Sequence, residues 1–353
     1  MELSDNVEVR SVHGSVDDFK WQLEYPTAAT EALTFYLTTD SGLYVLVQMV
    51  YSTMGLSPSV QTTCRIYGPN NSKFAQTLTP ATESFFVSTD RLSVTCAPFS
   101  ITHDSATRGY TVRARFDADT SVDATFLPPR AEGEYVRLNE GKALFHETEV
   151  EGYIEAAFMP KAHVEGNVVF QGTRFDASGE GMALHVVTCQ PQCVARYNFV
   201  NFQSHDAAVL LYEFEMPQDG VYKTRRFSLG LAVHNGALSA VTTRNRALHV
   251  QTEVDEDFSG YAIPTQLFCL WNGKTMKKGE DARMEMSLML TNLVDKIDVL
   301  AELPYLLRVF IQTFITAPFL YQWLEDVTIN VVMGKESFEL KGKAFIECSF
   351  LSS

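Results

Sequence analysis

Gly181-Met182-Ala183-Leu184-His185-Val186-Val187, a turn at Cys189-Gln190-Pro191-Gln192-Cys193, and then Ala195-Arg196-Tyr197-Asn198-Phe199-Val200-Asn201-Phe202-Gln203-Ser204 decide how this chain is read. Both segments read as strands. In the second, one alternating face carries Arg196, Asn198, Val200 and Phe202, and the other carries Tyr197, Phe199, Asn201 and Gln203. Each face is half apolar and half polar. A dry core tolerates such a strand badly, because a buried amide without a partner costs about 1–3 kcal/mol. The pattern suits the wall of a barrel whose interior holds an apolar ligand fixed by a few polar groups. It also suits a Greek-key strand whose amides cap neighbouring loops, and the pattern alone does not separate the two.

Outward from this stretch, short strands and turns continue in both directions. Thr34–Thr38 and Leu43–Val50 flank Thr39-Asp40-Ser41-Gly42 as a hairpin, and Thr62–Tyr67, Leu92–Cys96, Tyr110–Phe116 and Val122–Phe126 follow. Downstream, Arg225–Val233 alternates, with Phe227, Leu229, Leu231 and Val233 expected inward, and Asn235-Gly236 turns it into the next strand. A second Asn-Gly pair, Asn272-Gly273, is expected to turn Gln266–Trp271 into the methionine-rich strand Met284–Leu290. One segment has helical period: Leu306, Leu307, Phe310 and Phe314 share a face between Pro304 and Pro318, which predicts an amphipathic helix over 304–316. Glycines cluster between Gly166 and Gly181. The expectation is an all-β chain of two antiparallel barrels, residues 1–172 and 173–353, with one helix near the C-terminus.

Composition bounds the function. The chain has 353 residues, 46% of them hydrophobic and 24 of them phenylalanine, which is ample for sizeable cores. A formal net charge of -15 leaves no basic stripe for nucleic acid and disfavours adhesion to an anionic membrane. Met1-Glu2-Leu3-Ser4-Asp5-Asn6-Val7-Glu8 is acidic, without the basic start and apolar run of a secretory leader, so a cytoplasmic protein is expected. In that compartment Cys64, Cys96, Cys189, Cys193, Cys269 and Cys348 should be reduced thiols. The eight histidines show no metal-ligand spacing, and neither a metal nor a cofactor is expected.

There is no Gly-x-Ser-x-Gly elbow, phosphate loop or dinucleotide fingerprint. Side chains able to do acid–base work are His163, His185, Tyr197, Glu213, Asp298 and Glu302, each in or beside a regular element; a structural hydrogen bond is the plainer role for each.

A resemblance adds to this reading. Trp21, Ala29–Tyr36, Gly42, Tyr44, Val47-Gln48 and Tyr51-Ser52 resemble the opening of the fungal survival factor family of lipocalin-like proteins. Phe158–Lys161, Val164–Gly166, Arg196–Ser204, Asp295–Pro304, Pro318–Gln322 and Ala344–Phe350 continue the likeness in order along the chain. The family implies two lipocalin-like barrels, survival of oxidative stress, and binding and transfer of ceramide between endoplasmic reticulum and Golgi. The expectation is a carrier for a lipid of the ceramide or sphingolipid class, touching membranes at most transiently. Its ligand-binding residues would be Arg196, Asn198, Phe202, Met182, His185, Gln48 and Tyr51. The alternative is a cofactor-free natural-product cyclase or pericyclase, which binds a reactive conformer and adds one or two hydrogen bonds; His185, Tyr197 and Glu213 would then be its catalytic candidates.

Overall fold

The computed structural model describes residues 13–129, 134–218, 222, 225–302, 308 and 318–351, with the backbone alone for 138–141. Among them the chain is all-β. It divides into two compact units: an N-terminal one of His13–Lys142 with Glu149–Pro191, and a C-terminal one of Ala143–Thr148 with Gln192–Ser353. The glycine-rich stretch 166–181 lies within the first sheet, and the chain enters the second sheet at Arg196. The helix expected over 304–316 falls outside the described residues, apart from Arg308.

The N-terminal unit holds β1 (Ala29–Thr39), β2 (Tyr44–Ser52), β3 (Ser59–Tyr67), β4 (Lys73–Leu78), β5 (Phe86–Val87), β6 (Val94–Cys96), β7 (Phe99–Asp104), β8 (Gly109–Arg115), β9 (Ser121–Leu127), β10 (Val136–Leu144), β11 (Tyr153–Phe170), β12 (Thr173–Asp176) and β13 (Gly179–Cys189). Its main path runs β4-β3-β2-β1-β13-β11-β9-β8-β7-β6-β5, a curled half-barrel with no closing pair among the described strands. Leu33, Phe35 and Leu37 of β1 and Ala183 of β13 point to one side of this sheet and form its core with Phe19, Trp21, Tyr110 and Phe126. The 3-10 turn Val16–Phe19, begun by a reciprocal Ser15–Asp18 cap, brings Phe19 and Trp21 onto that core.

The C-terminal unit holds β14 (Arg196–Gln203), β15 (Ala207–Glu215), β16 (Arg226–His234), β17 (Ala237–Thr242), β18 (Arg246–Val254), β19 (Ala262–Thr275), β20 (Asp281–Met289), β21 (Leu293–Asp298), β22 (Phe319–Met333) and β23 (Glu336–Phe350). The order β17-β16-β15-β14-β23-β22-β20-β19, with β19 pairing back to β17, closes an eight-stranded barrel.

Two expectations are corrected here by how that barrel closes. Asn272-Gly273 is not a turn: β19 runs straight through it, Asn272 opposite Arg283 of β20, and the chain reverses only after Thr275. Gly273 is needed for a different reason. It faces Thr242 across the closing pair, and a Cβ there would lie 2.1 Å from the Val241 carbonyl oxygen. The second correction concerns β16, where the small set Ser228, Gly230 and Ala232 faces the barrel interior and Leu229, Leu231 and Val233 are buried on its outer wall. The cause is Trp271, which fills the interior opposite: a Cβ on Gly230 would lie 2.4 Å from its Cδ1. Asn235-Gly236, by contrast, is the expected tight hairpin, both residues at positive φ (51° and 76°).

Candidate functional site

β14 does what its alternation says. Val200 and Phe202 belong to the barrel's inner core with Trp271, Met284, Met286, Tyr321, Ile329 and Cys348. Arg196 and Asn198 continue the same inner face toward one end. Antiparallel pairing then sets Glu215 opposite Arg196 and Glu213 opposite Asn198. The outer face is also buried: Phe199 packs on Tyr212 and Phe345, and the Tyr197 hydroxyl donates to Glu347 at 2.5 Å.

At the rim of this end, Glu215 accepts from both Arg196 and Arg226, whose side chains are 37% and 38% exposed. Burial alone would raise the Glu215 carboxyl, but the two guanidiniums hold it below its ordinary value. One layer deeper, Glu213 is fully buried. Its Oε1 accepts from the Asn198 side-chain amide (3.2 Å) and the Ala247 backbone N–H (3.3 Å). Its Oε2 has no hydrogen-bond partner, and Arg226 Nε stands 3.8 Å off. Burial therefore dominates and pushes Glu213 up to about 7; Arg226 works against the shift and Glu215 with it.

Asn198 joins this carboxyl to a histidine. Since its Nδ2 donates to Glu213, its Oδ1 accepts from His249 Nε2 at 2.9 Å, so His249 carries its proton on Nε2. Burial, with the charge of Arg196 behind it, pushes His249 down to about 4, and it is neutral at physiological pH. The Cys348 thiol lies 3.7 Å from the same nitrogen.

Two further buried oxygens near this carboxyl lack partners. Asn245 donates its backbone N–H to Ser228 Oγ (3.2 Å) and its side-chain amide to the Thr242 carbonyl (2.9 Å), leaving Oδ1 unpaired; Thr242 Oγ1 is unpaired as well. Ser228 stands directly opposite Glu213, and a Cβ on Gly230 would lie 2.3 Å from Thr242 Oγ1 and 3.1 Å from Asn245 Nδ2. Glu213, Thr242 and Asn245 thus crowd one patch of inner wall.

The other expected binding residues lie in the N-terminal unit, on two faces of one sheet. Met182 is fully buried on β13, and Gln48 on β2 donates to Thr34 at 2.8 Å; all three side chains are on the face opposite the core. His185 and Tyr51 point into that core. His185 Nδ1 bonds the Asp18 carbonyl (2.9 Å), which can only accept, and Nε2 bonds Glu31 Oε1 (2.8 Å). Nδ1 therefore carries a proton, and the Gln22, Leu23 and Tyr25 donors around Glu31 favour an ionised carboxylate with a second proton on His185 Nε2, an imidazolium–carboxylate pair. Glu31 also accepts from the Gln22 and Leu23 backbone N–H groups (2.8 and 3.1 Å) and from the Tyr25 hydroxyl. Burial opposes both charges, but the pair outweighs it: Glu31 lies below its ordinary value and His185 above. Tyr51 stacks on Phe85 nearby.

The remaining acid–base candidates are surface or turn groups. His163 is exposed beside Glu165, Asp298 accepts from the Leu300 and Ala301 backbone N–H groups, and Glu302 follows that turn half-buried. Nothing in the sequence reading singled out His249, Thr242, Asn245 or Glu31. For Glu31 a signal existed, a lone acid in the apolar strand Ala29–Thr39.

Comparison with known proteins agrees with this architecture. Two solved structures match nearly the whole fold at low identity: CghA (TM-score 0.63, 10% identity, 93% of this chain and 89% of that one) and kievitone hydratase from Nectria haematococca (TM-score 0.57, 12% identity, 99% and 97%). Among curated relatives, a protein named ceramide-binding protein svf1 from Aspergillus fumigatus is 26% identical over 363 residues, covering 95% of this chain and 90% of the relative. Its namesake from Schizosaccharomyces pombe is 27% identical over 350 residues, covering 95% and 89%. The Svf1 family model matches residues 4–352, and the chain therefore belongs to the Svf1 family.

Proposed function

We propose that this protein binds a lipid of the ceramide class and holds it in the C-terminal barrel, with Arg196 and Asn198 at the polar end and Phe202 on the apolar wall. The observation that carries this reading is β14 itself, whose inner face passes within eight residues from an arginine at the rim to a ring in the dry interior. The relatives named as ceramide-binding proteins supply the ligand class. Met284 and Met286 suit the purpose, because unbranched thioether side chains repack around an acyl chain with little strain. Net charge -15 fits passing contact with membranes from the cytoplasm rather than lasting adhesion. Native mass spectrometry of protein purified from its own cells should find a co-purifying sphingolipid, and short-chain ceramide should displace it. A protein that neither carries a sphingolipid nor takes up ceramide would overturn the proposal.

A second reading has one observation in its favour. Glu213 and His249, joined through Asn198, pair an acid near neutrality with an unprotonated ring nitrogen inside a barrel. A cofactor-free cyclase or pericyclase would use such a pair, and turnover of a bound polyene abolished by Glu213→Gln would favour it over carriage.

A further inference from the structure

Three buried oxygens on one patch of the inner barrel wall make no hydrogen bond: Glu213 Oε2, whose nearest cation is Arg226 Nε at 3.8 Å, Thr242 Oγ1 and Asn245 Oδ1. Their residues are 0%, 0% and 3% exposed. The other polar atoms of these side chains, Glu213 Oε1 and Asn245 Nδ2, are hydrogen-bonded, as is the Asn245 backbone N–H, so the orphans are not a sign of loose local packing. A buried polar atom left without a hydrogen bond destabilises the fold, and three together are a large standing cost for a barrel that could have placed apolar residues there. A ligand that satisfies them recovers that cost on binding.

We propose that these three oxygens form a head-group subsite that selects an uncharged lipid head rich in O–H and N–H donors, a diol or amino-alcohol amide, over a head that is a carboxylate, a phosphate or an ester. This inference rests on the lipid-binding reading above and deepens it by assigning the atoms that discriminate among lipids.

The chemistry follows from what each atom can do. Asn245 Oδ1 is an amide oxygen whose own NH2 is engaged with the Thr242 carbonyl, so it only accepts and requires a donor from the ligand. Thr242 Oγ1 is a hydroxyl and can do either. On Glu213 the two donors already sit on Oε1, so a proton on this carboxyl belongs on Oε2, where it would donate; without that proton Oε2 accepts. A ligand hydroxyl serves both states, because it too can donate or accept. A carboxylate or phosphate brings acceptors only, leaves Asn245 Oδ1 unpaired, and meets an ionised Glu213 as a like charge. An ester brings no donor. Discrimination of this kind, built on buried groups that a wrong ligand leaves unpaired, exceeds what an apolar pocket achieves from size alone.

The rim is consistent with such a choice. Arg196 and Arg226 are both committed to Glu215, so neither offers an uncompensated cation to draw an anionic head inward.

The test uses the full chain and four soluble probes: N-hexanoyl-sphingosine, its 1-deoxy analogue, the analogue lacking both hydroxyls, and hexanoyl ceramide 1-phosphate. The parent is expected to bind at least about tenfold tighter than the analogue lacking both hydroxyls, the equivalent of one to two good hydrogen bonds, and the phosphate should bind more weakly still. Thr242→Val, close to isosteric, should weaken the parent about five- to tenfold and leave the dideoxy analogue unchanged. The probe series on the unmodified protein needs no variant to fold, so the test stands even if Thr242→Val does not. If all four probes bind alike, the subsite falls while the lipid-binding reading survives. If none of the four binds, the reading beneath it falls as well.

Discussion

Among the described residues each unit buries one carboxylate completely, and the two are treated in opposite ways. Glu31 in the N-terminal unit faces an imidazolium, a phenol and two backbone N–H groups. Glu213 in the C-terminal unit has two neutral donors on one oxygen and none on the other. The first lies below its ordinary pKa and the second rises to about 7. A fully satisfied buried charge acts as a fastener: through Asp18, Gln22, Leu23 and Tyr25 it ties the chain ahead of β1 onto the sheet. A half-satisfied one is costly to the fold alone, and that cost marks where a ligand can act.

The contrast can be broken most severely at Glu31. Glu31→Ala strands the His185 cation in a dry core and should cost about 3–5 kcal/mol, seen as a large fall in the melting temperature of the unfolding step that includes the N-terminal unit. A change under 1 kcal/mol would mean the fastener carries no load.

Second in size is the pH response of Glu213. Its folded pKa lies above the unfolded value near 4.5, so the native state binds more protons between the two and stability falls as pH rises from about 4.5 to 7. The total is on the order of 3 kcal/mol. Glu213→Gln should remove this slope, so that denaturation midpoints of variant and parent diverge from pH 5 to pH 8 in the variant's favour. The fastener behaves otherwise. The contribution of Glu31 is lost as pH falls through its lowered pKa and that of His185 as pH rises through its raised one, giving a plateau between them.

Smaller is Tyr25→Phe, which deletes one donor to Glu31 while the imidazolium and two N–H groups remain; about 1–2 kcal/mol in chemical denaturation is expected. Smallest is Arg196→Leu. Glu215 keeps Arg226 and the rim is partly solvated, so the loss should stay below about 1 kcal/mol, while ceramide affinity should drop if the arginine positions a head group. Binding left intact beside lowered stability would take Arg196 out of the site.

Much of the C-terminal site was legible in period and hairpin arithmetic. A turn at Ser204–Asp206 pairs residues whose numbers sum to 411, which sets Arg196 against Glu215 and Asn198 against Glu213 from sequence alone. His249 arrives from a strand two hairpins away, and no local pattern announces it. The Glu31–His185 bond spans 154 residues and exists because β1 pairs with β13, a topological fact rather than a periodic one. Alternation also chose the wrong face of β16: it set the larger residues Phe227, Leu229, Leu231 and Val233 inward, whereas Trp271 on a distant strand leaves room there only for the small set Ser228, Gly230 and Ala232. Gly273 misled for a related reason, since glycine marks close backbone approach as readily as a turn.

The pairing of β14 with β23 has a consequence for how the chain is made. Asn198 lies opposite Cys348, so the strand that completes β14 follows it by 150 residues, and Ala29 of β1 waits slightly longer, 160 residues, for Cys189 of β13. As the polypeptide leaves the ribosome, β14 and β15 can zip together at once, but the far edge of β14, with its rings and unpaired amides, stays open until residues near 345 emerge. At 5–20 residues per second that interval lasts on the order of ten seconds or more, during which the nascent chain presents an unpaired, aggregation-prone edge.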